Sequence, residues 1–148
     1  MSEIVLTEDC MRLISQFERL TGAGSRDCII DDRNNRLIFV VNPGEMGLAI
    51  GKKGASIKKA MEVMDKKIEV VEYSTSPEQF LKNCFLPAQV MAVRFEESDG
   101  GQVAHIEVRE EDRGLAIGKE GKNIFKAKKL ALRQHNIADV MLVADEVA

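Results

Sequence analysis

Residues 47–60 read GLAIGKKGASIKKA and residues 114–127 read GLAIGKEGKNIFKA. Laid over one another without gaps at an offset of 67 residues, ten of the fourteen positions are identical. Shared composition does not produce a match of that length, so the chain is an internal duplication. Two copies are too few for a solenoid, which needs three or more stacked units. Halving 148 residues leaves units of about 74, near the small end for a self-supporting core. Each copy must therefore be a small domain. The intervening Ser74-Thr75-Ser76 is too short to let the two tumble freely.

The flanks of the repeat support the same division. In the first half, Thr7 can cap a helix whose first turn carries Glu8 and Asp9, with Cys10, Ile14, Phe17 and then Leu20 or Thr21 along one side. Gly22 and Gly24 close it. Strands are expected over 26–31 and 36–41 around a turn at 32–35, followed by the breaker Asn42-Pro43-Gly44. A short helix ends near Ile50, a longer one spans 55–65, and a strand runs over 67–73. In the second half, Ser76 is an N-cap, Pro77 takes the first helical position and Gln79 completes a capping box. Pro87 ends that helix. A strand over 88–97 is expected to place Met91, Val93 and Phe95 on one face, and Ser98-Asp99-Gly100-Gly101 turns into a partner alternating Ala104, Ile106 and Val108 with His105, Glu107 and Arg109. A short helix, a longer helix to about His135 and a strand over 138–144 complete it. Both halves read helix, strand, strand, helix, helix, strand. This is an α+β class fold, each unit a three-stranded sheet covered by helices on one face, with boundaries at 1–74 and 75–148.

Charge follows the repeat. The net value of −3 argues against a polyanionic partner, but its distribution does not. Residues 52–67 hold six lysines against Glu62 and Asp65, and residues 119–133 hold five lysines and Arg133 against Glu120, local sums of +4 and +5 that leave −12 for the remainder. A partner feels that local field rather than the total.

Both clusters begin at Gly-x-x-Gly. Gly51 and Gly54 can take positive φ and leave no side chain above the backbone. The helix that starts at the second glycine presents unpaired N–H groups and its positive dipole end. A phosphate can approach such a corner closely, and a loop lysine adds a mobile cation. Ile50 and Ile57, and in the second copy Ile117 and Ile124, lie on either side and give a groove with an apolar floor and a cationic lip. That combination suits a single strand held by its backbone with bases turned inward.

Ile-Gly-x-x-Gly between two helices and before a strand resembles the KH RNA-binding domain, and the helix and strand preceding each βααβ core resemble its type II variant. The resemblance covers nearly the whole chain as two tandem copies, a pairing similar to that of archaeal NusA-family transcription factors. It implies binding of extended single-stranded RNA and a role in transcription elongation, termination or antitermination, with RNA polymerase a possible partner. It carries RNA contacts onto Gly51, Lys52, Lys53 and Gly54, onto Gly118, Lys119, Glu120 and Gly121, and onto Ile50, Ile57, Ile117 and Ile124. Lys58 belongs to the same cationic lip. Glu120 stands where the first copy has Lys53, and a carboxylate beside a phosphate is unfavourable, so the second loop is expected to bind more weakly unless Lys122 and Lys126 compensate. A ribosome-associated or RNA-processing KH protein is the neighbouring reading, and a protein–protein adaptor using the acidic remainder is another.

Other chemistry finds little support. The nucleotide P-loop needs four residues between its first glycine and Gly-Lys, then Ser or Thr; here three intervene, and Lys53 or Glu120 follows. His105 on a polar strand face and His135 near a helix end read as surface residues, so no catalytic residue is assigned. Asp31-Asp32 and Glu110-Glu111-Asp112 read as solvated acids at turns and strand ends, so no metal or cofactor is expected. The three cysteines, Cys10, Cys28 and Cys84, lack C-x-x-C spacing and read as buried apolar residues of a reducing compartment. The start MSEIVLTEDC has no leader pattern, the DEVA end carries no lipidation signal, and no run long enough to span a membrane exists, which points to the cytoplasm. Oligomeric state is left open. With no Trp, one Tyr and six Phe, of which Phe17, Phe39 and Phe95 read as core, stacking is expected to count for less than phosphate and apolar groove contacts.

Overall fold

The computed structural model describes residues 6–144. The first five residues, on which the no-leader reading partly rests, and the acidic DEVA end lie outside the described residues. The element order is α1 (Glu8–Thr21), β1 (Ser25–Asp31), β2 (Arg36–Val41), α2 (Met46–Ile50), α3 (Ala55–Met64), β3 (Lys67–Glu72), α4 (Pro77–Phe85), β4 (Val90–Ser98), β5 (Gly101–Val108), α5 (Arg113–Ile117), α6 (Lys122–His135) and β6 (Asp139–Ala144). The chain divides between Tyr73 and Ser74 into two compact units, each with the order αββααβ. In the first, β1 lies antiparallel to β2 and β2 parallel to β3; in the second, β4, β5 and β6 repeat that arrangement. No described helix is long and apolar enough to cross a membrane.

In the first unit, the Thr7 hydroxyl accepts the Cys10 N–H at 3.1 Å and starts α1, and Gly22 at φ +82° ends it. The helix lays Cys10, Ile14 and Phe17 on the sheet. The Phe17 ring stacks on Phe39 with centroids 4.1 Å apart and planes 11° from parallel. Strand β2 lies in the middle of its sheet and is buried at every residue, its first included. Arg36 is tolerated there because its Nε donates to Asp31 Oδ2 at 2.6 Å and its Nη1 to Glu69 Oε2 at 2.8 Å. Asn34 Nδ2 also donates to Asp31 Oδ2 at 2.8 Å. Asp31 is thus a buried partner of a guanidinium rather than a solvated turn acid; only its neighbour Asp32 is exposed. Burial alone would raise the Asp31 carboxyl, but bonds from Asn34 and Arg36 and the arginine charge outweigh it and hold the pKa below the usual aspartate value.

The second unit packs α4 on α6, burying Phe80, Leu81, Cys84 and Phe85 with Ala127, Leu130 and Ala131. Ser76 caps α4 as expected, accepting the Gln79 N–H at 3.2 Å. The reciprocal half of the capping box is replaced: Gln79 Nε2 donates to Asn83 Oδ1, and the Ser76 N–H is taken by Ser74 Oγ. Strand β5 alternates as expected, with Ala104, Ile106 and Val108 buried. Strand β4 does not. A bulge between Val90 and Ala92 inserts Met91 out of step, so Met91 does not share a face with Val93 and Phe95. Phe95 pairs with Ala104 but stays 37% exposed, on a strand that lies at the edge of its sheet. All three cysteines are buried and none is joined in a disulfide. His135 is half-buried rather than a surface residue, its Nε2 2.8 Å from the Ser74 carbonyl and its ring 5.2 Å from Phe80. His105, also half-buried, pairs with Glu96 at 2.7 Å.

Candidate functional site

Each repeated segment folds as a short helix, a four-residue corner and a longer helix. The first corner closes through the Gly51 N–H to Gly47 O at 2.8 Å and the Gly54 N–H to Gly51 O at 3.1 Å. In the second, Gly118 donates to Gly114 O at 2.9 Å and Gly121 to Gly118 O at 3.1 Å. The torsions coincide as well. Gly51 lies at φ +77°, ψ 172° and Gly118 at +80°, 167°. Lys53 lies at +55°, 29° and Glu120 at +56°, 27°. Gly54 lies at +77°, 16° and Gly121 at +75°, 14°.

The two glycines of each corner are required for different reasons. The first occupies a region of positive φ and extended ψ that only glycine populates readily. A Cβ on Gly51 would fall 2.3 Å from Ser56 Oγ and 2.7 Å from Ser56 N, and one on Gly118 2.7 Å from Asn123 N. The second glycine is left-handed but unobstructed: a Cβ on Gly121 meets nothing within 4 Å. Between them, Lys53 and Glu120 hold long side chains in the left-handed region. The other described non-glycine residues there are Asn35, Asp65 and Asn136, types that tolerate it better. Gly54 and Gly121 are the N-caps of α3 and α6 and have no side chain to cap the first-turn N–H groups, so the positive end of each helix opens at its corner.

The expected site residues mostly gather here. Lys52 and Lys53, and Lys119 and Glu120, are exposed on the corners, and Lys58 is exposed on the next turn of α3. Lys122 is half-buried at the first position of α6. Ile57, Ile117 and Ile124 are half-buried, and Ile50 is 37% exposed. Lys126 departs from expectation. It is only 5% exposed, because it lies on the face of α6 that packs against α4, where its charge is felt by the Cys84 thiol. Its burial separates it from the corner lysines, and it supplies no outward-facing cation.

Two features escaped the reading of the sequence. Leu48 and Leu115, matched positions in the repeat, are each 51% exposed on the helix entering the corner. Retention of leucine in both copies of G-L-A-I-G was the available signal. Asn123 braces the second corner from behind, its Nδ2 donating to Leu115 O at 3.1 Å and Phe85 O at 3.2 Å. The first copy has Ser56 there, without an amide to span that gap. Each corner therefore joins open helix amides, exposed side-chain charge and a shelf of exposed leucine beside partly buried isoleucines. Such a surface can hold an anion carrying an apolar or aromatic appendage. Among the described residues no group of His, Cys, Asp and Glu is arranged to hold a metal. A cleft of about 440 Å³ lined by Glu97, Gln102, Leu132 and His135 sits at the opposite end of α6 and is separate from the corner.

Comparison with known proteins gives concordant results. The family profile described as "KH domain" matches residues 13–93, and that described as "NusA-like second KH domain" matches residues 77–142. The chain is 39% identical to the probable transcription termination protein NusA of Halococcus morrhuae over 139 residues, covering 94% of this chain and 98% of that protein. It is 39% identical to the protein of the same description from Methanococcus vannielii over 138 residues, covering 93% and 78%. Among solved structures, the crystal structure of APE1850 superposes with a TM-score of 0.84 at 40% identity, covering 93% of this chain and 100% of that one.

Proposed function

The chain belongs to the NusA-like family of KH-domain proteins, and from that premise we propose that it binds single-stranded RNA at its two glycine corners and acts on transcription during elongation, termination or antitermination. Each half, 1–74 and 75–148, is then one type II KH domain. A backbone phosphate rests on the open amides of α3 beside Lys52 and Lys53, while sugar and base turn over Leu48, Ile50 and Ile57. The equivalent path in the second half runs past Lys119 and Lys122 over Leu115, Ile117 and Ile124. Glu120 makes that corner the weaker of the two, since its carboxylate repels a phosphate that Lys53 attracts. Relatives carry the description of probable transcription termination protein, so the bound strand is nascent transcript. RNA polymerase is then a partner, directly or through that RNA, and the site of action is the cytoplasm.

The observation that carries this reading is the coincidence of the two corners, down to a strained non-glycine residue at the same place. Simple chain reversal does not need that strain, and strained backbone of this kind clusters where ligands are held. The test is binding of an unstructured RNA oligomer at two salt concentrations. Replacing Lys52 and Lys53 by aspartate is expected to remove most of the affinity and, if each lysine neutralises one phosphate, to flatten the log–log salt slope by about 1.4. Lys119→Asp has a smaller effect. Unchanged binding in the double variant overturns the loop assignment, and failure to recover RNA polymerase from native extract overturns the transcription assignment.

A further inference from the structure

We propose that the outward face of α6 is a base-stacking site for single-stranded RNA, centred on Phe125. The inference deepens the RNA-binding reading and rests on it. Of the six phenylalanines, Phe17, Phe39, Phe80 and Phe85 are fully buried and Phe95 borders a sheet edge, while Phe125 is 43% exposed on a helix surface. The buried face of α6 is Lys126, Ala127, Leu130 and Ala131, so Phe125 points the other way, in line with Lys122, Lys128, Lys129 and Leu132 at helical spacing. The Lys129 ammonium stands 5.8 Å from the Phe125 ring centroid, and Leu132, one turn further, is also exposed. Lys128 pairs with Asp139 at 3.3 Å. An accessible ring among cations fits a polyanion that carries flat aromatic groups, and it fits an apolar peptide poorly.

Comparison of the copies sharpens the assignment. The 67-residue offset places Lys58 and Glu62 of the first unit at Phe125 and Lys129 of the second, while Lys53 becomes Glu120. The second unit therefore gives up a loop cation for a carboxylate, and one turn along the helix exchanges lysine and acid for a ring and a lysine. Phe125 is four residues past Gly121, about 6 Å along the helix axis from the corner. The base of a nucleotide neighbouring the one whose phosphate rests on the corner can reach it. The first unit grips by charge; the second grips by stacking.

The experiment uses the full chain with an unstructured RNA oligomer carrying 2-aminopurine at single positions. Stacking on an aromatic side chain predicts a 5- to 150-fold loss of affinity for both Phe125→Ala and Phe125→Leu, with Phe125→Tyr retaining affinity. One 2-aminopurine position is quenched with the unmodified chain and with Phe125→Tyr, and released with Phe125→Leu. Affinity kept by Phe125→Leu overturns the proposal in favour of plain apolar contact. Affinity kept by both the Ala and Leu variants, while Lys52→Asp/Lys53→Asp still weakens binding, overturns it and leaves the corner reading standing. An unmodified chain that binds no RNA overturns the functional reading first, and this one with it.

Discussion

Two alanine substitutions three residues apart in the second corner should have sharply different costs. Gly121→Ala forces an alanine into the left-handed region at φ +75° but adds a methyl to open space. The cost is that of the backbone conformation alone, about 1 kcal/mol. Gly118→Ala places its methyl 2.7 Å from Asn123 N and 2.8 Å from Asn123 Cβ, at the start of α6 where backbone rather than a flexible side chain would have to move. It also occupies a region that costs about 1–3 kcal/mol for any L-residue. Overpacking adds about 1–3 kcal/mol, so a loss near 4 kcal/mol is expected. For a unit of this size 1 kcal/mol corresponds to about 4–8 °C in melting temperature. Thermal unfolding followed by circular dichroism should show a modest shift for Gly121→Ala and one at least three times larger for Gly118→Ala. Equal shifts would refute the reasoning, because they would mean that α5 and α6 separate freely and that the close approach at Gly118 constrains nothing.

Three further outcomes follow from the packing. The Asp31 carboxyl, held below its ordinary value of 3.8, contributes stability that is complete above that pH and lost as pH falls through the lowered folded value. Acid unfolding of the first unit should therefore lose part of its pH dependence in Asp31→Asn, and Arg36→Ala, which strands a buried carboxylate, should cost about 3–5 kcal/mol by urea titration. Burial pushes the Cys84 thiol up to about 12 from 9.0, with the Lys126 charge opposing. Native protein at pH 8 should leave Cys84 unlabelled by a thiol reagent, and its contribution to stability should decline as pH rises above 9, where only the unfolded thiol ionises. Ser76→Ala should cost about 1 kcal/mol as a lost N-cap. Gln79→Ala should cost only a few tenths of a kcal/mol, since Gln79 reaches Asn83 on the same exposed helix face rather than back to Ser76; a loss equal to that of Ser76→Ala in chemical denaturation would restore the full capping box.

Local interactions made most of the fold legible before any coordinates. Thr7 and Ser76 as caps, the Asn42-Pro43-Gly44 break and the alternation of β5 are decided within a few residues of chain. The αββααβ order follows from them, with elements ending within two residues of expectation. Where β4 departed from its pattern, the cause was a bulge, which a period of two does not register. Asp31 looked like any acid beside a turn because its partner Arg36 arrives from the neighbouring strand, held in turn by Glu69 of a third.

The duplicated Ile-Gly-Lys-x-Gly determined that there would be two matching corners, and its glycines permitted positive φ at both ends of each. Charge and hydropathy along the chain separated basic from acidic segments without showing which side chains point outward. Only the tertiary structure turned Lys126 into the α4–α6 interface, brought Leu48 and Leu115 to the surface and set Phe125 on the open face of its helix. The physical reason is that helical spacing distributes residues around an axis, while the neighbour that covers one side of that axis is supplied by chain far away in sequence.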